Sequence, residues 1–152
     1  MGSVLFVCLG NICRSPMAEG LLRHRLGAAA AAWDIDSAGT SAEHEGEGAH
    51  PQTAALLARL GASFSHASRQ VVREDFDRFE LILAMDRSNL ARLRAMQPAG
   101  SRAKLALMLD PAGGAEVPDP WGHGQERYDE VRFLLEEALD GWFARWRLNT
   151  QF

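Results

Sequence analysis

The chain has 152 residues, 47% hydrophobic and 24% charged, a balance that fits one globular domain over 1–152 and excludes a disordered or fibrous chain. Its 16 Lys and Arg against 20 Asp and Glu leave a net charge of −4, which argues against nucleic acid or an anionic membrane surface as a partner. No apolar run approaches the roughly 20 residues of a membrane span, Met1-Gly2-Ser3 has no signal-peptide character, and two cysteines are too few for a disulfide scaffold, so a cytoplasmic protein is expected.

Ser3-Val4-Leu5-Phe6-Val7-Cys8 is a short apolar, β-branched run that predicts a first, central strand buried on both faces. After Gly10-Asn11, Ser15-Pro16 predicts a hydroxyl N-cap followed by proline at the first helical position, and Met17, Leu21, Leu22 and Leu26 recur at helical spacing. The alanines at 28–32 extend or finish that helix. Trp33 to Ala38 alternates as a second strand and breaks at Gly39, and Pro51 to Leu60 reads as a helix stopped at Gly61. Phe79 to Met85 predicts a third strand, Asp86 a cap for the helix bearing Leu90, Leu93 and Met96, and Ala103 to Leu109 a fourth strand. Beyond the loop 110–123, Tyr128, Val131, Leu134, Leu135, Ala138, Leu139, Trp142, Phe143 and Trp146 form the apolar stripe of a last helix.

Strands alternating with helices predict an α/β fold: a single three-layer domain with a four-stranded parallel sheet and helices on both faces. Ligands of such sheets bind beyond the carboxyl ends of the strands, so loops 8–15, 39–50 and 110–123 are expected to converge. Cys8 and Arg14 then bracket a Cys-x5-Arg loop, Leu9-Gly10-Asn11-Ile12-Cys13, between the first strand and the first helix. Its backbone amides and the helix start can ring an anion. Arg14 offers a permanently charged fork for two phosphate oxygens, and the same dipoles favour Cys8 as thiolate. Gly10 and Asn11 both tolerate the positive φ that a tight ring needs.

A departing ester oxygen needs a proton, and Asp119, held between prolines in Val117-Pro118-Asp119-Pro120-Trp121, is the expected donor, with a solvated surface turn as the alternative. Activity is expected to favour mildly acidic pH, one limb set by the Cys8 thiol and the other by the Asp119 proton. Cys13 reads either as a resolving thiol that traps oxidised Cys8 or as a small packed thiol. His24, His44, His50 and His123 show no ligand spacing and read as surface or loop residues; no metal and no cofactor are expected. The cluster Arg73 to Arg78 reads as a solvated face.

Val7 to Glu19 resembles the signature loop of the low-molecular-weight protein tyrosine phosphatases. The resemblance continues in order through Asp36-Ser37-Ala38-Gly39-Thr40, His66-x-x-Arg69-Gln70, Asp75-Phe76, Met85-Asp86-x-x-Asn89-Leu90 and Pro118-Asp119-Pro120. It implies a phosphatase, acting as a monomer on a phosphotyrosine-containing protein through a phosphocysteine intermediate. By the same resemblance Cys8 is the nucleophile, Arg14 binds phosphate, and Ser15 assists the thiolate as leaving group. Asn11 shapes the loop, Ser37 and His66 support it, and Ile12, Glu43, His44 and Trp121 wall the substrate pocket. Glu43 stands where many relatives carry an aromatic and Gly122 where some carry a tyrosine, which implies either looser recognition of phosphotyrosine peptides or selectivity for different flanking charges. Phosphoarginine hydrolysis is the nearest alternative, and Ile12 favours the tyrosine class. Thioredoxin-coupled arsenate reduction would need further cysteines, and a non-catalytic phosphotyrosine-binding module would not need both Cys8 and Asp119.

Overall fold

The structure, a computed structural model, describes residues 2–150; Met1 and residues 151–152, at the ends of the expected domain, lie outside the described residues. Four parallel strands, β1 (Ser3–Cys8), β2 (Asp34–Gly39), β3 (Leu81–Ala84) and β4 (Lys104–Leu107), form one sheet in the order β2-β1-β3-β4. β1 therefore lies inside the sheet, as its unbroken apolar run predicts. The observed β3 and β4 are shorter than the sequence runs at both ends. Phe79 closes a preceding turn, while Met85 and Met108 pass into loops and remain buried.

Alternate side chains of β1 face opposite cores. Val4, Phe6 and Cys8 meet α1 (Arg14–Leu26), α2 (Pro51–Arg59) and α5 (Gln125–Thr150), whereas Leu5 and Val7 meet the single turn α3 (Asp75–Arg78) and α4 (Arg87–Met96). Helix α1 is buried around its whole circumference from Arg14 to Leu22, because it is wedged between the sheet and the helices α2 and α5. Gly20 is what lets α2 approach: a Cβ there would lie 2.8 Å from Leu57 Cδ1. The alanine-rich 27–32 segment is a 3-10 turn continuing α1.

Helix ends follow the sequence in two cases and depart from it in a third. Gly61 (φ 69°) stops α2 with the Ala62 amide reaching back to the Leu57 carbonyl at 2.8 Å and the Gly61 amide to Ala58 at 3.1 Å. Asp86 caps α4 by accepting from the Asn89 amide at 2.8 Å. Helix α1, by contrast, begins at Arg14 with Cys13 in the cap position and no side-chain cap. Ser15 lies inside the helix because its hydroxyl is committed elsewhere, so the first amides of α1 stay free of any capping side chain.

Helix α5 is tied to the end of β4 through Trp142, whose Nε1–H donates to the Met108 carbonyl at 2.8 Å. No helix among the described residues is long and apolar enough to cross a membrane.

Candidate active site

The three loops expected to converge do so. A cavity of about 280 Å³ at the carboxyl edge of the sheet is lined by Cys8, Leu9, Gly10, Ile12, Cys13, Arg14, Glu43, His44, Asp119 and Trp121. Parallel pairing brings them together: the Thr40 amide donates to the Cys8 carbonyl at 2.9 Å and the Ser41 amide to Leu9 at 3.0 Å, which holds the loop after β2 against the loop after β1. From the other side the Val117 amide donates to Met85 at 2.8 Å, two residues before Asp119.

Cys8 lies at the floor, 2% exposed, where its Sγ accepts from the Asn11 amide at 3.3 Å and sits 3.0 Å from Ser15 Oγ. Asn11 alone in the loop takes positive φ, 58°. Gly10 does not, so the expectation of positive φ there is corrected; a Cβ at Gly10 would fall 2.9 Å from the His44 ring, which would have to shift. Asn11 is fully buried and acts as a junction. Its Nδ2 donates to Ser15 Oγ (2.8 Å) and Ser37 Oγ (3.0 Å), and its Oδ1 accepts from the Arg69 amide (3.0 Å). Its carbonyl accepts from His66 Nε2 (2.8 Å) and Ser68 Oγ (2.6 Å). Ser37 and His66 therefore lie behind the loop, not in the cavity.

Arg14 is 3% exposed, and its Nη1 donates to Asp86 Oδ2 (2.9 Å) and to the Val117 carbonyl (3.0 Å). One nitrogen thus ties the loops after β1, β3 and β4, while the guanidinium still lines the cavity. Asp119 is exposed at the rim, its Oδ1 accepting from the Trp121 amide at 3.1 Å, and Trp121 is 62% exposed. Glu43 is exposed, and His44 pairs with Glu47 at 2.9 Å.

Cys13 is buried, with its Sγ 3.4 Å from the Tyr128 hydroxyl. Burial pushes its thiol up to about 11, partly opposed by the Tyr128 hydrogen bond. One reading from sequence is filled in here and another is corrected. His50 lies in the loop before α2, as expected, and is half-buried there: its Nδ1 accepts from the Gln52 amide (3.1 Å) at the start of α2 and lies 3.2 Å from the Tyr128 hydroxyl. In the cluster 73–78, Asp75 and Phe76 are buried, because Asp75 takes both terminal nitrogens of Arg69 at 2.9 Å and Phe76 packs on the sheet.

Sequence reasoning passed over four contributors: Glu19, Ser68, Asp86 as the partner of Arg14, and the Arg69 amide. Ser68, two residues past His66, carried a local signal; the others act through partners distant in sequence.

A buried thiol and a guanidinium lining one cavity on the carboxyl edge of a parallel sheet are the groups that a phosphate-ester hydrolase working through cysteine requires. The profile of the low molecular weight phosphotyrosine protein phosphatases matches residues 3–151, and the chain belongs to that family. A low molecular weight protein-tyrosine-phosphatase of Streptomyces coelicolor is 41% identical, the alignment covering 97% of this chain and 95% of the relative. Among solved structures, YfkJ of Bacillus subtilis superposes with a TM-score of 0.88 at 37% identity, covering 98% of this chain and 96% of that one. The Drosophila arginine phosphatase superposes with a TM-score of 0.90 at 30% identity, covering 96% and 98%.

Proposed function

We propose that this phosphatase dephosphorylates phosphotyrosine in proteins with Cys8 as nucleophile, Arg14 as phosphate clamp and Asp119 as general acid and base. The observation that carries these roles is that Cys8, Arg14 and Asp119, from two loops more than a hundred residues apart, line one cavity. In the first step Cys8 Sγ bonds to phosphorus as the phosphorus–oxygen ester bond breaks, and the Asp119 proton passes to the departing phenolic oxygen. In the second, Asp119 takes a proton from the water that attacks phosphorus, and the thiolate leaves with inorganic phosphate as product. The loop amides and Arg14 hold the equatorial oxygens through both steps. Ser15, 3.0 Å from Cys8, steadies the sulfur when it leaves, and Asn11, Ser37 and His66 keep the loop in shape.

Ile12 and Trp121 provide apolar walls for a phenyl ring, with Glu43 and His44 at the mouth. Cys13 is read as the thiol that captures Cys8 after oxidation by a peroxide: the peroxide O–O bond breaks as one oxygen passes to the Cys8 sulfur, and the resulting sulfenic acid condenses with the Cys13 thiol, releasing water and leaving a disulfide that added thiols reduce.

Hydrolysis of p-nitrophenyl phosphate tests the assignment. Cys8→Ser is expected to abolish turnover, and Asp119→Ala to lower kcat by about 10²- to 10⁴-fold. Full activity in Cys8→Ser, or a flat wild-type rate from about pH 5 to 8.5, would overturn it. Phosphoarginine is the second reading, favoured by the likeness to the Drosophila arginine phosphatase; turnover of phosphoarginine above that of phosphotyrosine by the wild-type enzyme would select it.

A further inference from the structure

Glu19 is a carboxylate 3% exposed on α1 that the proposed steps do not use. Burial pushes its carboxyl above the ordinary carboxylate range, opposed by hydrogen bonds from Ser37 and Arg23. Its Oε1 accepts from Ser37 Oγ at 2.7 Å, and its Oε2 accepts from Arg23 Nε at 2.9 Å. An ionised carboxylate only accepts, so the single Ser37 proton is committed to Glu19. Ser37 Oγ then meets Asn11 as an acceptor alone and requires the amide nitrogen of Asn11 to face it, 3.0 Å away. That orientation turns the second Asn11 N–H onto Ser15 Oγ at 2.8 Å, which leaves the Ser15 proton to point at Cys8 Sγ, 3.0 Å on.

We infer that Glu19 is a positioning residue for the reaction: by claiming the Ser37 proton it acts together with the Arg69 amide, which donates to Asn11 Oδ1 at 3.0 Å, to fix the direction of the hydrogen bonds Ser37, Asn11 and Ser15, so that the last of them donates to the Cys8 thiolate. Without the Ser37 proton on Glu19, Ser37 would donate towards Asn11 while the Arg69 amide holds the Asn11 NH2 facing Ser37, and the donor-to-donor conflict would loosen the Asn11 bond to Ser15 and the Ser15 bond to sulfur. The inference rests on Cys8 being the nucleophile. Its effect runs against plain electrostatics, because removing a negative charge near the sulfur would by itself favour the thiolate. The other charged and titratable groups are Arg23 and Asp36 around Glu19, and Cys13, Arg14, Glu43, His44 and Asp119 around the cavity of Cys8.

The test is iodoacetate alkylation of Cys8, which needs no turnover, alongside p-nitrophenyl phosphate kinetics. In Glu19→Gln, alkylation at about pH 6 is expected to fall about tenfold and to recover by about pH 9, the weight of one hydrogen bond to an anion. kcat at the lower pH is expected to fall in step, with KM unchanged. Alkylation that is unchanged or faster overturns the inference. A second arm keeps the question open to decision should Glu19→Gln not fold: Glu19→Asp, too short to span both partners, is expected to slow alkylation in the wild-type background and to add nothing to Ser37→Ala. Equal effects in both backgrounds overturn it. Failure of the phosphatase assignment itself would show separately, as wild-type turnover that survives Cys8→Ser.

Discussion

Asn11 concentrates in one residue what the site requires: positive φ, an amide aimed at the sulfur, and a side chain joining β2, the 66–69 segment and α1. Its type and place were legible because a tight loop restricts which residues fit locally. Glu19 and the pairing of Asp86 with Arg14 were not, because the partners lie 18 and 72 residues apart and nothing in the local spacing records such a pairing. Cys13 illustrates the same divide, since its position is plain in sequence while its chemistry depends on Tyr128, 115 residues on. With its thiol raised from 9.0 to about 11, Cys13 holds its proton more tightly folded than unfolded. The stabilisation from that burial is therefore present below about pH 9 and lost as pH climbs towards 11. Melting temperature is expected to fall across this window in the wild type and less steeply in Cys13→Ala. Native protein at neutral pH is expected to take iodoacetate on Cys8 and not on Cys13; equal labelling would contradict the buried thiol.

At the scale of elements, the apolar runs located every strand, Asp86 and Pro51 located the starts of α4 and α2, and the single turn α3, hidden in a charged cluster, was not read as a helix; a hydroxyl misplaced one start because it serves the site instead. Ser15 is that hydroxyl: read as a cap, it is turned to Cys8 and Asn11. The last residue of β2 shows a constraint that no propensity scale records. A Cβ on Gly39 would lie 2.7 Å from the Leu9 carbonyl and 3.1 Å from that of Ser41, both backbone atoms of the loops forming the cavity. Gly39→Ala is expected to destabilise the fold by about 1–3 kcal/mol. It should also lower kcat, because the only relief is to move the loop after β1 off its place. Denaturant melts together with p-nitrophenyl phosphate kinetics measure both; wild-type values in each would mean that the two loops yield freely.

The whole molecule gathers its site by topology, which strand and helix alternation made legible: parallel strands put three loops at one edge whatever their distance in sequence. The tie among the loops was not legible, because it depends on Arg14 Nη1 reaching Asp86 and Val117. Since these contacts exist only in the folded chain, an anion seated against Arg14 binds the native state alone. Inorganic phosphate at about 100 times its Kd is expected to stabilise the fold by about 2.7 kcal/mol, or roughly 5–10 °C in Tm. The increment should vanish in Arg14→Met, whatever that variant's own Tm; an equal rise would place the anion elsewhere.

The tryptophans divide between the two ends of this architecture. Trp33 meets Trp146 edge-on at a centroid distance of 5.0 Å and Trp142 stacks near it at 6.3 Å, with Trp142 buried and the other two half-buried against the core, whereas Trp121 stands 62% exposed at the mouth of the cavity. Solvent-borne quenchers reach Trp121 more readily than the other three, so the chain carries a native optical gauge whose quenching reports occupancy of the mouth against a better shielded internal reference.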